Sequence, residues 1–442
     1  MARWRGNPAV GVVATTGLDL MWDDVADLVD VVEVEPQTMW TPRPEGGWDI
    51  DEPGFRWVEA CGKLPLLHGV GFPVGGCDPP DPRGVALTAA CADRLGAIHW
   101  SEHLSFTGVH IDGRAVDAGF LLPPAQTQAG VEAAVDHIKT YQHAGARPFL
   151  IETGVNYLRP RTGELPDGEF IATIAERADC GILLDLHNLI SNQRNGRQSV
   201  DEVLRELPLE QVLEIHVAGG FNFDGYYLDA HVGGPDAQLL TLLETVIPQL
   251  TGLRAVIFEV VPESLITLGA KGLRIVLESL HRICDRTAVA EGLRKSAARP
   301  TGHGGSPRSG QVLSPHQTGQ AKPSPYSYTA TREWERQLAA YTARIRSAPP
   351  AADPGLALLR TLADHARLGQ IGLARPQLLQ TLLRTYGVLK TEQLLQDYLN
   401  TFPPKRWSTD EGDQFASWFS TLRADRPAAA NTREQRLCTP IK

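Results

Sequence analysis

Eight short apolar runs punctuate the chain before residue 261: GVVAT (11–15), VDVVEV (29–34), LPLLHGV (64–70), AIHWSEHL (97–104), PFLIET (148–153), GILLDL (181–186), VLEIHV (212–217) and AVIFEV (255–260). Runs of this length, apolar almost throughout, suit parallel strands covered on both faces. Between them lie stretches with helical spacing, such as 18–29, 131–144, 170–178 and 239–250. Eight alternations of this kind predict a (β/α)8 TIM barrel, an α/β fold whose active site forms where the strands end. From the third run onward, every strand ends in an acid or a histidine or is followed at once by one.

Those terminal residues are His68, His103, Glu152, Asp185, His216 and Glu259, and the loop after the seventh strand adds Asp229 and His231 in the pattern DAH. Taken singly, each reads as a helix cap, an ion pair or a core histidine. Their delivery to one face of a barrel reads differently. Carboxylates crowded together away from water repel one another, and bound metal is the natural compensation. The donors are oxygen and imidazole nitrogen without sulfur, which disfavours a structural zinc site and suits iron, manganese or catalytic zinc. Eight donors exceed the needs of one ion, so two or three metals are expected, with Glu152 or Glu259 as a bridge. The cysteines at 61, 77, 91, 180, 284 and 438 form no CxxC pair, and reduced thiols in a cytoplasmic protein are expected.

At 442 residues the chain is too long for one barrel, so a second unit is expected. Apolar periodicity stops near Lys295 and returns after Thr331; the intervening Gly, Ser, Pro, Gln and Thr, with His303 and His316 among them, predict a disordered linker. The expected division is a metal-binding catalytic barrel over 1–292, a linker over 293–331 and a small all-α domain over 332–442. Helices are predicted at 332–347, 354–368, 376–386, 391–401 and 408–422, with Asp353 and Pro354 starting the second and a Ser408–Glu411 capping box starting the last. From Ala424 onward the tail reads as disordered. Tyr398, Phe402, Trp407, Phe415, Trp418 and Phe419 suit either the core of this unit or a peptide-binding groove. The net charge of −10 and the isoelectric point near 5.7 give no sign of a nucleic-acid or membrane-surface partner, and no segment approaches a membrane span.

Two loops at the barrel mouth invite a role in substrate contact. GVGFPVGG (69–76) lacks the residues of a phosphate-binding motif and serves equally as a close-packed turn. Arg159 and Arg161 could face a substrate carboxylate or solvent.

At VEVEPQT (32–38), LLHGVGFPVGG (66–76), SEHLSF (101–106), IETGVNYL (151–158), LLDLHN (183–188), EIHVAGG (214–220), DAH (229–231) and IFEV (257–260), the chain resembles the DUF692 family over roughly 8–285. These are multinuclear non-heme iron-dependent oxidases acting on ribosomally made peptides, including the methanobactin and 3-thiaglutamate biosynthetic enzymes. The resemblance implies a barrel with two or three irons held by His68, His103, Glu152, Asp185, His216, Asp229, His231 and Glu259, with Asn188 a further ligand. It also implies oxidation by O2 of a cysteine in a precursor peptide that a separate partner protein recognises, a role the fused helical unit is placed to take. Beyond the metal ligands it assigns no catalytic residue. Many relatives carry a histidine in an Asn-His-Gly segment where this chain reads RNGR (194–197) beside an alternative His187, and HLAGH where it reads HVAGG, ending in Gly220. Those departures concern the third metal rather than the first two. The rival readings are a zinc or manganese isomerase or phosphodiesterase of the xylose isomerase and endonuclease IV kind, and a metal-binding scaffold without turnover.

Overall fold

A computed structural model describes residues 7–43, 45–297 and 327–424. Eight parallel strands close into a barrel: β1 (Ala9–Val13), β2 (Val31–Val34), β3 (Leu64–Gly69), β4 (Trp100–His103), β5 (Phe149–Glu152), β6 (Gly181–Asp185), β7 (Val212–Val217) and β8 (Ala255–Phe258). Each pairs with its neighbours in sequence, and β8 pairs back onto β1, with Val12 opposite Phe258. Side chains alternate across each strand. One set, including Val10, Val12, Ile151, Ile182, Ile215 and Val256, packs outward under the helices in the main core. The other set points inward, where Ala9, Val13, Val31, Leu66, Ala255 and Ile257 form a separate apolar cluster.

The predicted helices at 131–144 and 170–178 appear as Gln128–Ala144 and Asp167–Ala178. The one expected over 18–29 is broken into two 3-10 turns flanking a single α-turn, Trp22–Val25. No helix among the described residues is long and apolar enough to cross a membrane. The expected linker begins and ends in helix, since Pro262–Ala297 and Tyr328–Thr342 overlap its ends. His303, His316, Cys438 and the tail beyond 424 lie outside the described residues.

The C-terminal helices are Tyr328–Thr342, Pro354–Ala374, Pro376–Thr401 and Ser408–Ala424; the third merges two predicted helices across a kink at Gly387, where φ is 74°. Asp353 caps its helix as expected, its side chain accepting from the Gly355 amide. Glu411 instead accepts from the Arg367 guanidinium and the Lys405 amide, and the Glu411 and Arg367 side chains are both buried. Tyr398, Phe402, Phe415, Trp418 and Phe419 pack with Ile371 and Leu382 as the core of this unit, while Trp407 turns away to meet Trp48 at 6.0 Å.

This unit shares a core with the barrel's strand-end loops. Phe106, Val109 and Leu122, from a hairpin after β4 (Phe106–Ile111 with Arg114–Leu122), pack with Tyr157, Leu158 and Leu228 against Leu338, Tyr341, Leu356 and Leu359. Buried Glu335 accepts from the amide of Cys77 at 2.7 Å. Arg161 lies over the Trp334 ring at 3.9 Å and bonds Glu164, and the Arg159 amide donates to Asp353. These contacts tie the two arginine positions to packing. The glycine loop is likewise close-packed: a Cβ on Gly75 would lie 2.8 Å from the Ser105 carbonyl oxygen, and Gly76 adopts a φ of 80°.

Candidate metal centre

Parallel register brings the strand-end residues together. His103 is opposite Glu152 between β4 and β5, and Asp185 is opposite His216 between β6 and β7. Each points inward because it stands two residues beyond an inward neighbour, as His68 follows Leu66. Donor atoms of His68, His103 and Glu152 lie within 4.8 Å of one another, as do those of Glu152, Asp185, His216 and Glu259. Glu152 belongs to both groups. Its Oε2 is 3.3 Å from His68 Nε2 and 3.0 Å from His103 Nε2, while its Oε1 is 3.6 Å from His216 Nδ1.

Glu259 continues the chain of donors, with Oε2 3.0 Å from His216 Nδ1 and Oε1 3.2 Å from His231 Nδ1. His231 Nε2 lies 2.9 Å from Asp229 Oδ1, which His187 Nδ1 also approaches at 2.9 Å. The backbone of His231 sits in the left-handed region, φ 52°, a placement uncommon outside glycine and frequent at functional sites. Asn188 stands in the first turn of the helix Leu186–Arg194, its side-chain amide donating to the Thr153 carbonyl and the Asp185 carboxylate. Its Oδ1 is thereby turned away from both. His68 and Asp185 are closed off, but the side chains of His103 and His231 keep 15% and 24% exposure, so the cluster opens on that side.

The electrostatics of the cluster are those of a crowd short of positive charge. Burial, then the neighbouring Asp229, Glu152 and Glu259 carboxylates, pushes Asp185 well above the usual carboxylate range. Burial opposes charge on Glu152 too, but His103 and His68 outweigh it and hold that carboxyl well below its ordinary value. For His216 burial disfavours the imidazolium, and Glu33 and Glu259 overcome that to hold its pKa well above the histidine range. Of the buried donor atoms, His68 Nε2, Glu152 Oε2 and His231 Nε2 meet their neighbours only in imidazole–carboxylate approaches without an aligned hydrogen bond, and Asn188 Oδ1 has no hydrogen-bond partner. Such atoms are costly unless something occupies them. A cation fits both the unmet lone pairs and the excess of carboxylate.

A profile for the RiPP precursor modification enzyme family MbnB/TglH/ChrH matches residues 50–263. A UPF0276 protein of Chromobacterium violaceum is 34% identical over 200 residues, 43% of this chain and 71% of that protein. The chain belongs to this DUF692 (UPF0276) family. A UPF0276 protein of Streptomyces avermitilis is 30% identical over 224 residues, 46% of each chain. Among solved structures, the xylose isomerase domain protein from Planctomyces limnophilus is similar at 17% identity and TM-score 0.43, covering 64% of this chain and 99% of that one. Endonuclease IV from Thermus thermophilus is similar at 16% identity and TM-score 0.41, covering 62% and 100%.

In this DUF692 chain six of the expected positions, His68, His103, Glu152, Asp185, His216 and Glu259, bring donor atoms close together at the strand ends, Asp229 and His231 adjoin them through Glu259 from the loop after β7, and Asn188 reaches Asp185 through its amide nitrogen. Where many relatives carry a histidine, Gly220 leaves no room for a side chain: a Cβ there would meet the Leu228 carbonyl oxygen at 2.1 Å and His187 Nε2 at 2.7 Å. Sequence reading passed over Glu33, His99, Glu102 and Glu214, all fully buried. Glu102 accepts from the amides of Phe72 and His103, pinning the glycine loop. The signal available for the others was parity, since Glu33 and Glu214 stand two residues beyond inward Val31 and two before inward His216.

Proposed function

We propose that this protein is a multinuclear non-heme iron oxidase that uses O2 to modify a ribosomally synthesised precursor peptide at a cysteine. Family membership supports a peptide-modifying enzyme. The position of Glu152 carries the multinuclear part of the reading, because one carboxylate faces two imidazoles through one oxygen and a third through the other.

In this reading His68, His103 and Glu152 hold one iron, and Glu152, Asp185, His216 and Glu259 hold a second. Asp229 and His231 are the groups left for a third, with Asn188, whose amide nitrogen bonds the Asp185 carboxylate, beside them. Bound iron with open coordination positions supplies O2 activation and a seat for a thiolate. The chain's own residues fix donor geometry: Ser101 Oγ lies 2.8 Å from His68 Nδ1 and the Gly69 carbonyl 3.0 Å from His103 Nδ1, which aims both Nε2 atoms at Glu152. The open side at His103 and His231 admits the peptide. The helical unit packed on the same face is placed to hold the precursor in the role of a separate recognition protein.

Metal analysis after iron-supplemented expression, combined with O2 consumption on the peptide encoded beside this gene, tests the reading. At least two iron equivalents per chain and peptide-dependent O2 uptake are expected. No more than one transition metal, or colourless zinc protein with hydrolytic activity, would overturn it.

A further inference from the structure

TIM-barrel interiors are ordinarily filled by branched apolar side chains. Here the layer beneath the strand ends is polar: Glu33 on β2, Glu214 on β7 and His99 just before β4, all fully buried. His99 Nε2 lies 2.7 Å from Glu214 Oε2, which pairs those two. Glu33 crosses the barrel to His216, its carboxylate oxygens 3.0 and 3.2 Å from Nε2. The other ring nitrogen, Nδ1, faces Glu259 and Glu152. His68 turns its second nitrogen to a hydroxyl, and His103 turns its own to the Gly69 carbonyl at 3.0 Å with the Glu102 carboxylate farther off at 3.3 Å, whereas the second nitrogen of His216 meets only a carboxylate, that of Glu33. A carboxylate behind an imidazole fixes its tautomer and orientation and raises its basicity as a ligand.

We propose that Glu33 is a positioning residue for His216, holding the proton on Nε2 and presenting the Nδ1 lone pair to the metal centre. The inference rests on the metal reading above. Donor atoms of Glu33, Glu214 and His216 also lie within 4.8 Å of one another. A separate cation there is the weaker account, because His99 already balances Glu214 and His216 Nε2 already engages Glu33. Oε1 of Glu33 and Oε1 of Glu214 have no aligned hydrogen-bond partner, so the layer burdens the empty fold. A buried carboxylate that costs stability yet grips a donor ring is accounted for by what the ring holds.

The two contributions separate experimentally in full-length Glu33→Leu and Glu33→Gln. Affinity for Fe(II) or Co(II), measured against a competing chelator, should fall about 10-fold or more in Glu33→Leu. Glu33→Gln should recover part of it, since its amide oxygen still accepts from Nε2–H. The melting temperature of metal-free Glu33→Leu should equal or exceed that of the wild type, because an apolar side chain replaces a buried carboxylate. Unchanged affinity in Glu33→Leu would overturn the proposal. So would an affinity loss accompanied by a lowered metal-free melting temperature that Glu33→Gln shares in full. A wild type that binds neither metal would sink the metal reading itself, and a crystal structure of metal-free Glu33→Leu then decides whether Glu33 positions the ring. A rotated or displaced His216 ring supports that role, and an unmoved ring overturns it.

Discussion

Glu152 is the residue on which the two donor groups converge, so its loss should be felt at both. Glu152→Ala and His216→Ala are each expected to abolish peptide modification and to lower bound metal, while circular dichroism shows the barrel intact. The scaffold survives because strands are held by their outward apolar faces, such as Ile151 and Ile215, rather than by the inward donors. Full metal content and activity in either variant would contradict the assignment. His68, His103, Glu152, Asp185, His216 and Glu259 were legible in the sequence because each closes an apolar run and parallel register makes run ends coincide in space, while Asp229 and His231 showed only as the loop pattern DAH. Glu33 and Glu214 were not, because an acid inside a run such as VEV or LEI looks like a solvent-facing position until the opposite face is known to be the covered one.

At the level of elements, the helix Tyr328–Thr342 adds one buried carboxyl, that of Glu335, to its apolar contacts with the barrel's loops. Burial lifts the pKa of Glu335 to about 7, against backbone amides of Cys77 and Ala125 that favour the charged form. An acid whose pKa is raised on folding stabilises the folded state at low pH, fully below its ordinary value near 4.5, and that stabilisation fades as pH rises through about 7. The difference amounts to about 3 kcal/mol at most. Denaturation at pH 5.5 and pH 8 should therefore show a loss of stability in the wild type that Glu335→Gln, unable to ionise, lacks. Equal pH dependence in both proteins would sink the assignment. Helices with caps and clean periodicity, such as the one begun by Asp353, were readable from sequence. The hairpin Phe106–Ile111 with Arg114–Leu122 was not, because its inner residues pack on a distant helical unit instead of repeating the barrel's own pattern.

Across the whole molecule, the Gly, Ser and Pro-rich segment suggests two units free of each other, whereas the described residues give them a common core. Leu338, fully buried on the first C-terminal helix, belongs to the same cluster as Phe106, Tyr157 and Leu228 from three different strand-end loops. A cavity at such a site typically costs about 2–5 kcal/mol. If the units were independent, Leu338→Ala would lower the melting of the helical unit alone and leave a separate barrel transition where it was. A shared core instead couples the loss to the barrel face, so calorimetry of the metal-free chain should give one transition that Leu338→Ala shifts as a whole. Truncation after residue 297 should then expose Phe106, Val109, Tyr157 and Leu228 together, producing a barrel that self-associates and processes the precursor poorly. Two transitions, with the barrel's unmoved by Leu338→Ala, would show that contact over the barrel mouth is not where the chain's stability is joined. A monomeric truncated barrel as active as the intact chain would also place peptide recognition outside the helical unit.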